Sequence, residues 1–177
     1  MTSSHDRTDS AFHETLGRLT RGALHELANP LVAVIGSAEL ALGELEPGTK
    51  ALARIELVHR TALEVADLVR ALQAFTRERT SPPRRLELAT VAADAVRLVQ
   101  LVGATPDVEL SLRREAEPVV VAAPGAVASA IVAALLDELG SAERGDAVLT
   151  VVTERAGAAI VTVEGGEVLR LPLEAAA

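Results

Sequence analysis

Cysteine is absent from the 177-residue chain, which removes disulfides, thiolate nucleophiles and thiolate metal sites together. Tryptophan and tyrosine are absent too, and there are only two phenylalanines. Stacking platforms for single-stranded nucleic acid need rings beneath the bases, so that class is excluded. Basic charge is in short supply: 17 Lys and Arg stand against 25 Asp and Glu, a formal net charge of −8. This is the wrong sign for a surface that tracks a phosphate backbone. No uninterrupted apolar run approaches the roughly 18 residues of a membrane span. The longest apolar stretches lie around Val119–Pro124 and Ala126–Leu136. The polar start, Met1 to Ser10, lacks the basic-then-apolar order of a signal peptide. The expectation from these absences is a cytoplasmic protein with neither a membrane nor a nucleic acid as partner.

What is present is small and aliphatic. Hydrophobic residues make up 49% of the chain, mostly Ala, Leu and Val, a composition suited to helices packed at close range. The length allows one sizeable core or two small ones. From Leu24, apolar residues fall at Leu24, Leu27, Leu31, Val34, Ala38, Ala41 and Leu45, the alternation of three and four that marks one face of a helix. Leu16 and Leu19 extend this helix back toward residue 11. Pro47-Gly48 stops it, and Thr49 is placed to cap the next element. Ile55, Val58, Ala62, Val65, Val69 and Leu72 repeat the alternation, so a second long helix is expected over about residues 50–79. The short connection makes the pair antiparallel, and Ser81-Pro82-Pro83 marks the domain boundary. A lone two-helix hairpin cannot bury both stripes, so a homodimer forming a four-helix bundle is expected.

Beyond Arg84 the elements shorten. Helices are expected at Ala89–Val102 and Pro124–Leu139, and strands at Val108–Leu112, Val119–Ala122, Ala147–Glu154, Ala158–Glu164 and Val168–Leu173. Turns are expected at Arg155-Ala156-Gly157 and Gly165-Gly166. The fold class is therefore α+β: a flexible N-terminus over residues 1–10, a helical hairpin over 11–80, and a small sandwich with a mostly antiparallel sheet over 84–177. The tail is Ala-rich.

The most informative stretch is His25-Glu26-Leu27-Ala28-Asn29-Pro30. His25 lies one position past Leu24, about 100° around the helix, and shares its flank with Asn29, Val32 and Gly36. It therefore sits on the rim, within reach of another protein. An imidazole is a nucleophile at neutral pH when a neighbour holds one nitrogen protonated and leaves the other lone pair free, and Glu26 is the candidate neighbour. Asn29, one turn on, could hold a water or a phosphoryl oxygen. Pro30 removes a backbone donor and should bend the helix. A lone helical histidine is more often a surface or core group, and His5, His13 and His59 are read that way. A zinc-protease motif would need histidine where Asn29 stands. No other ligand cluster appears.

His25 to Pro30, followed by Leu31 and Gly36-Ser37-Ala38-Glu39-Leu40, resembles the phospho-acceptor box of two-component histidine kinases. The stretch Leu68–Arg77 with Ala74-Phe75, and Leu86-Glu87-Leu88 and Val91 to Val99 beyond it, is similar to that family's passage from dimerisation hairpin to ATPase domain. The resemblance implies that His25 is the phospho-acceptor, Glu26 its acid/base partner, and Asn29 the residue placed for dephosphorylating receiver domains. Ala28 departs from the pattern, since the family often has a basic residue there. Arg18 and Arg21 could substitute for that residue, although solvated surface charge is the plainer reading.

The same resemblance implies a degenerate ATPase domain. Where active relatives carry two amides four residues apart, this chain has Ala133 and Asp137. Where they carry an Asp followed by two spaced glycines, it has Glu164-Gly165-Gly166-Glu167-Val168, better accounted for as a tight hairpin, with no length left for a lid. The implied protein is a histidine phosphotransferase of a phosphorelay that does not bind ATP. It would hold no cofactor or metal of its own, because magnesium is supplied in the partner's aspartate site. Its partners would be response-regulator receiver domains, or a hybrid histidine kinase carrying one. Two alternatives remain: a receiver phosphatase acting through Glu26 and Asn29, and a non-catalytic dimeric module that sequesters a response regulator or kinase.

Overall fold

The computed structural model describes residues 5–102, 108–143 and 145–173, with side chains from residue 17 onward except Arg18. The Ala-rich tail, the first four residues of the stretch expected to be flexible, and the side chains of His5, His13 and Arg18 lie outside the described residues. The chain forms two compact units, Met1–Thr76 and Arg77–Ala177.

The first unit is built on α1 (His5–Glu44) and α2 (Lys50–Glu78). α1 begins at His5 instead of near residue 11, so residues 5–10 are helical, and it continues through Pro30. At its end the Leu45 N–H donates to the Ala41 carbonyl at 3.2 Å. Gly48 then turns the chain at φ +80°, a conformation that costs glycine nothing. Thr49 caps α2: its Oγ1 accepts the Leu52 N–H at 3.1 Å and donates to the Glu46 carbonyl at 3.0 Å.

The single apolar stripe expected on each helix divides into two rows. Leu24 and Ala38 are buried and Leu31 and Leu45 half-buried, matching Ala62 and Val69, buried, and Ile55, half-buried, on α2. The intervening row is exposed over most of its length, with Ala41 and Leu72 half-buried at its ends. Leu27 is 53% and Val34 43% exposed on α1, and Val58 46% and Val65 40% on α2. In an antiparallel pair, rows offset the same way around each axis fall on the same side. The hairpin thus carries one face of exposed apolar side chains.

In the second unit, α3 (Leu88–Val102) and α4 (Pro124–Ser141) cover one face of a sheet. That sheet is ordered β2-β4-β5-β6, from β2 (Glu109–Arg114), β4 (Ala147–Arg155), β5 (Ala158–Val163) and β6 (Gly166–Pro172). Its core contains Leu88, Val99, Ile131, Leu135, Val152 and Val161, all essentially inaccessible to solvent. The sheet is mixed: β2 and β4 run parallel, and the two later pairings are antiparallel. Parallel pairing is possible because α4 lies between the two strands in sequence and supplies the crossover.

A strand absent from the expected set, β1 (Arg84–Glu87), pairs antiparallel with β3 (Val119–Ala122) in a separate two-stranded sheet, with Leu86 opposite Val120. Only one of its four residues is buried, so it has no alternating pattern to read.

By average hydropathy, Leu19–Glu44 and Pro124–Ser141 are long and apolar enough to cross a membrane, each at 1.2, although neither is uninterrupted. Ile131 and Leu135 of α4 are core residues. α1 carries Arg21, His25, Glu26 and Glu39 within that segment.

Gly125, in the first turn of α4, packs against backbone: a Cβ there would lie 2.5 Å from the Glu78 carbonyl oxygen and closer still to the Arg79 Cα. Gly125→Ala should cost about 1–3 kcal/mol through overpacking, seen as a lower thermal midpoint. Gly22→Ala, which meets nothing within 4 Å, should gain about 0.5–1 kcal/mol from helix propensity. Thr150 is fully buried and its hydroxyl has no hydrogen-bond partner among the described residues. Thr150→Val should therefore stabilise by about 1 kcal/mol, read from denaturant titration.

Candidate functional site

Burial of Leu24 against α2 fixes the rotation of α1, and the residues that follow are placed by helical geometry. His25, Glu26 and Asn29 are all exposed. Among the described residues, none makes a hydrogen bond or ion pair with any of these three side chains. His25 and Asn29 stand one turn apart on one flank, opposite the flank that carries Leu27 and Val34. Glu26 projects between them, farther from α2. Pro30 takes away the N–H that would otherwise donate to the Glu26 carbonyl. Beyond it Ala33 is exposed, and a Cβ at Gly36 would meet nothing within 4 Å. The geometry offers an accessible nucleophile, a carboxylate and an amide beside open surface.

Two cross-helix bonds lie at this level. The Gln73 Nε2 donates to the Leu24 carbonyl at 3.1 Å, and Arg21 donates to the Thr76 carbonyl at 3.1 Å. Arg21 is therefore engaged with α2. The sequence reading missed Gln73, although a signal was present: Leu52, His59, Ala66 and Gln73 form a seven-residue row of half-buried side chains facing α1, where an amide is out of place unless bonded.

His59 belongs to that same row. Its Nε2 is buried without a hydrogen-bond partner among the described residues, and Glu39 Oε1 lies 3.5 Å away without hydrogen-bond geometry.

On the second unit, Ala133 and Asp137 are both exposed on α4. β5 and β6 are joined by only Glu164-Gly165, with Val163 paired to Gly166. Positive φ at both loop residues, 47° and 78°, is the pattern of a tight two-residue hairpin. The Glu164 carboxylate accepts the Leu149 N–H. Glu167 is gripped by Arg170 through two bonds, at 2.8 and 2.6 Å. These hydrogen bonds hold the Glu167 carboxyl below its usual range and push the Arg170 guanidinium up. Both carboxylates of the stretch thus have partners within the chain. No three His, Asp or Glu side chains gather as a metal site would require, among the described residues.

No protein-family model matches the chain. It is 33% identical over 107 residues to the sensor kinase CckA of Brucella abortus (strain 2308), covering 60% of this chain and 11% of that kinase. Over that stretch the chain is similar to a sensor kinase, and it spans about a tenth of the length of this relative. Similar solved structures include full-length ShkA in complex with AMPPNP (TM-score 0.44, 15% identity, 82% of this chain and 32% of that one). Another is histidine kinase ThkA in complex with response regulator protein TrrA (TM-score 0.43, 12% identity, 89% and 48%). A third is the Acinetobacter baumannii histidine kinase AdeS (TM-score 0.38, 9% identity, 78% and 71%).

Exposure separates chemically the two histidines whose side chains are described, His25 and His59. Diethyl pyrocarbonate should modify His25 several-fold faster than His59, followed by mass spectrometry. Equal rates, or a faster His59, would mean that the flank bearing His25 is covered.

Proposed function

We propose that the chain is a histidine phosphotransferase of two-component signalling, passing a phosphoryl group between His25 and receiver-domain aspartates. The observation that carries this reading is the exposed His25, with Glu26 and Asn29 beside it and none of the three side chains bonded to another among the described residues. Likeness to a sensor kinase in sequence supports it.

In the transfer, one imidazole nitrogen attacks the phosphorus of a receiver's aspartyl phosphate. A P–N bond forms as the P–O bond to the aspartyl carboxylate breaks, and the carboxylate leaves with the electron pair. The proton on the other imidazole nitrogen passes to Glu26. Transfer outward reverses each step. Asn29 is placed to hold a phosphoryl oxygen, and the open surface at Ala33 and Gly36 gives a receiver helix room to dock.

The exposed row of Leu27, Val34, Val58 and Val65 supports a homodimer, in which two hairpins bury these rows in a four-helix bundle and leave both His25 flanks outside. The second unit is read as a domain that does not bind ATP. Ala133 offers no ligand atom, Asp137 brings negative charge toward a polyphosphate, and the Glu164 carboxylate is engaged with Leu149. The two-residue β5–β6 connection leaves no chain for a lid.

The test mixes receiver domains carrying labelled phosphate with wild type and His25→Ala, beside an ATP-only control. Acid-labile label is expected on wild type, none on the variant and none from ATP alone. Label taken directly from ATP would overturn the reading of the second unit. Unlabelled protein with faster receiver dephosphorylation would replace transfer by phosphatase action through Glu26 and Asn29.

A further inference from the structure

The Leu24 carbonyl belongs to the peptide group whose nitrogen is that of His25, so the bond from Gln73 Nε2 at 3.1 Å acts on the backbone that carries the imidazole. Its counterpart runs the other way, from Arg21 on α1 to the Thr76 carbonyl on α2 at 3.1 Å. On each helix the donor lies three residues before the acceptor, so the two bonds form a reciprocal clasp. Thr76 Oγ1 closes it by donating to the Gln73 carbonyl at 3.1 Å.

The clasp is placed where apolar packing is thin. Ala28, the inward residue one turn after Leu24, is small and only half-buried, and Pro30 has removed a rung from the helical ladder just beyond. Gln73 itself occupies an inward position that an aliphatic side chain would fill at no polar cost, and this bond gives its amide nitrogen an acceptor.

We propose that Gln73 is a positioning residue for phosphoryl transfer, holding the Leu24–His25 peptide group, and through it the imidazole, at a fixed orientation against α2. Arg21 closes the second half of the clasp. This inference rests on the phosphotransfer reading. Gln73 touches neither His25 nor the phosphoryl group directly; its effect is on how often the imidazole nitrogen lies in line with the phosphorus. Such misalignment lowers the rate of the chemical step and leaves partner affinity alone.

The sequence permits a direct measurement. Leu24–His25 is the only Leu–His dipeptide in the chain, so labelling leucine carbonyls with carbon-13 and histidine with nitrogen-15 yields one carbonyl–amide cross-peak for this peptide group. Gln73→Met keeps the length of the side chain and loses the donor. It is expected to move that cross-peak, to leave receiver affinity unchanged, and to slow single-turnover transfer from a labelled receiver by about tenfold. Gln73→Lys, which restores a donor on a chain of similar reach, should recover transfer to within about threefold of wild type.

A cross-peak that stays in place in Gln73→Met would overturn the contact. A cross-peak that moves while the transfer rate holds, or a loss in receiver affinity that accounts for the slower transfer, would overturn the positioning role. Failure of wild type to take label would sink the phosphotransfer reading and the positioning role with it, whereas the cross-peak reports on the clasp in either case.

Discussion

The packing of Leu24, Leu31, Ala38 and Leu45 against Ile55, Ala62 and Val69 sets the rotation of α1 and α2, and everything distinctive about the first unit follows from it. Once Leu24 faces inward, His25 must lie about 100° away on a rim. Leu27 and Val34 must lie on the opposite rim, still apolar and still exposed. A helix with one narrow apolar row would need only one partner helix. This one has two rows, and a hairpin satisfies only one of them. The surplus apolar face and the accessible imidazole are consequences of the same choice.

Polar contacts refine that packing instead of replacing it. Gln73 and Arg21 each reach a carbonyl on the opposite helix, both at the end of the hairpin where α1 carries His25. A cross-helix hydrogen bond contributes only about 0.5–1.5 kcal/mol net, much less than the buried aliphatic row. Its value lies in direction: apolar contacts tolerate small rotations of a helix, whereas a donor aimed at one carbonyl does not.

The second unit follows a different logic. α3 and α4 bury a continuous core on one face of the sheet, and the tight β4–β5 and β5–β6 connections use Ala156-Gly157 and Glu164-Gly165, all with positive φ. Short hairpins and satisfied carboxylates make a closed, self-contained edge at Glu164 and Glu167. Gly125 lets the start of α4 approach the backbone of Glu78 and Arg79, which explains why residues 77–79 group with this unit although they precede the Pro82-Pro83 pair.

Much of this was legible from the sequence. The periodicity of α1 and α2, the stop at Pro47-Gly48, the Thr49 cap and the turn at Ala156-Gly157 all depend on residues close along the chain, and local chemistry determines them; the last turn was expected at Gly165-Gly166 and lies one residue earlier, at Glu164-Gly165, because Gly166 pairs with Val163. The box from His25 to Pro30 was legible for the same reason, because one helix carries it. Tertiary structure alone decided which half of each apolar stripe went inside, since a stripe of seven-residue rows is symmetric until a second helix chooses among them. It also decided that β2 pairs in parallel with β4, that Arg84–Glu87 forms a strand with a single buried residue, and that Gln73 meets Leu24. Each of these joins residues far apart in sequence, where no local pattern records the partner, and the free energy that selects them arises only when the elements pack.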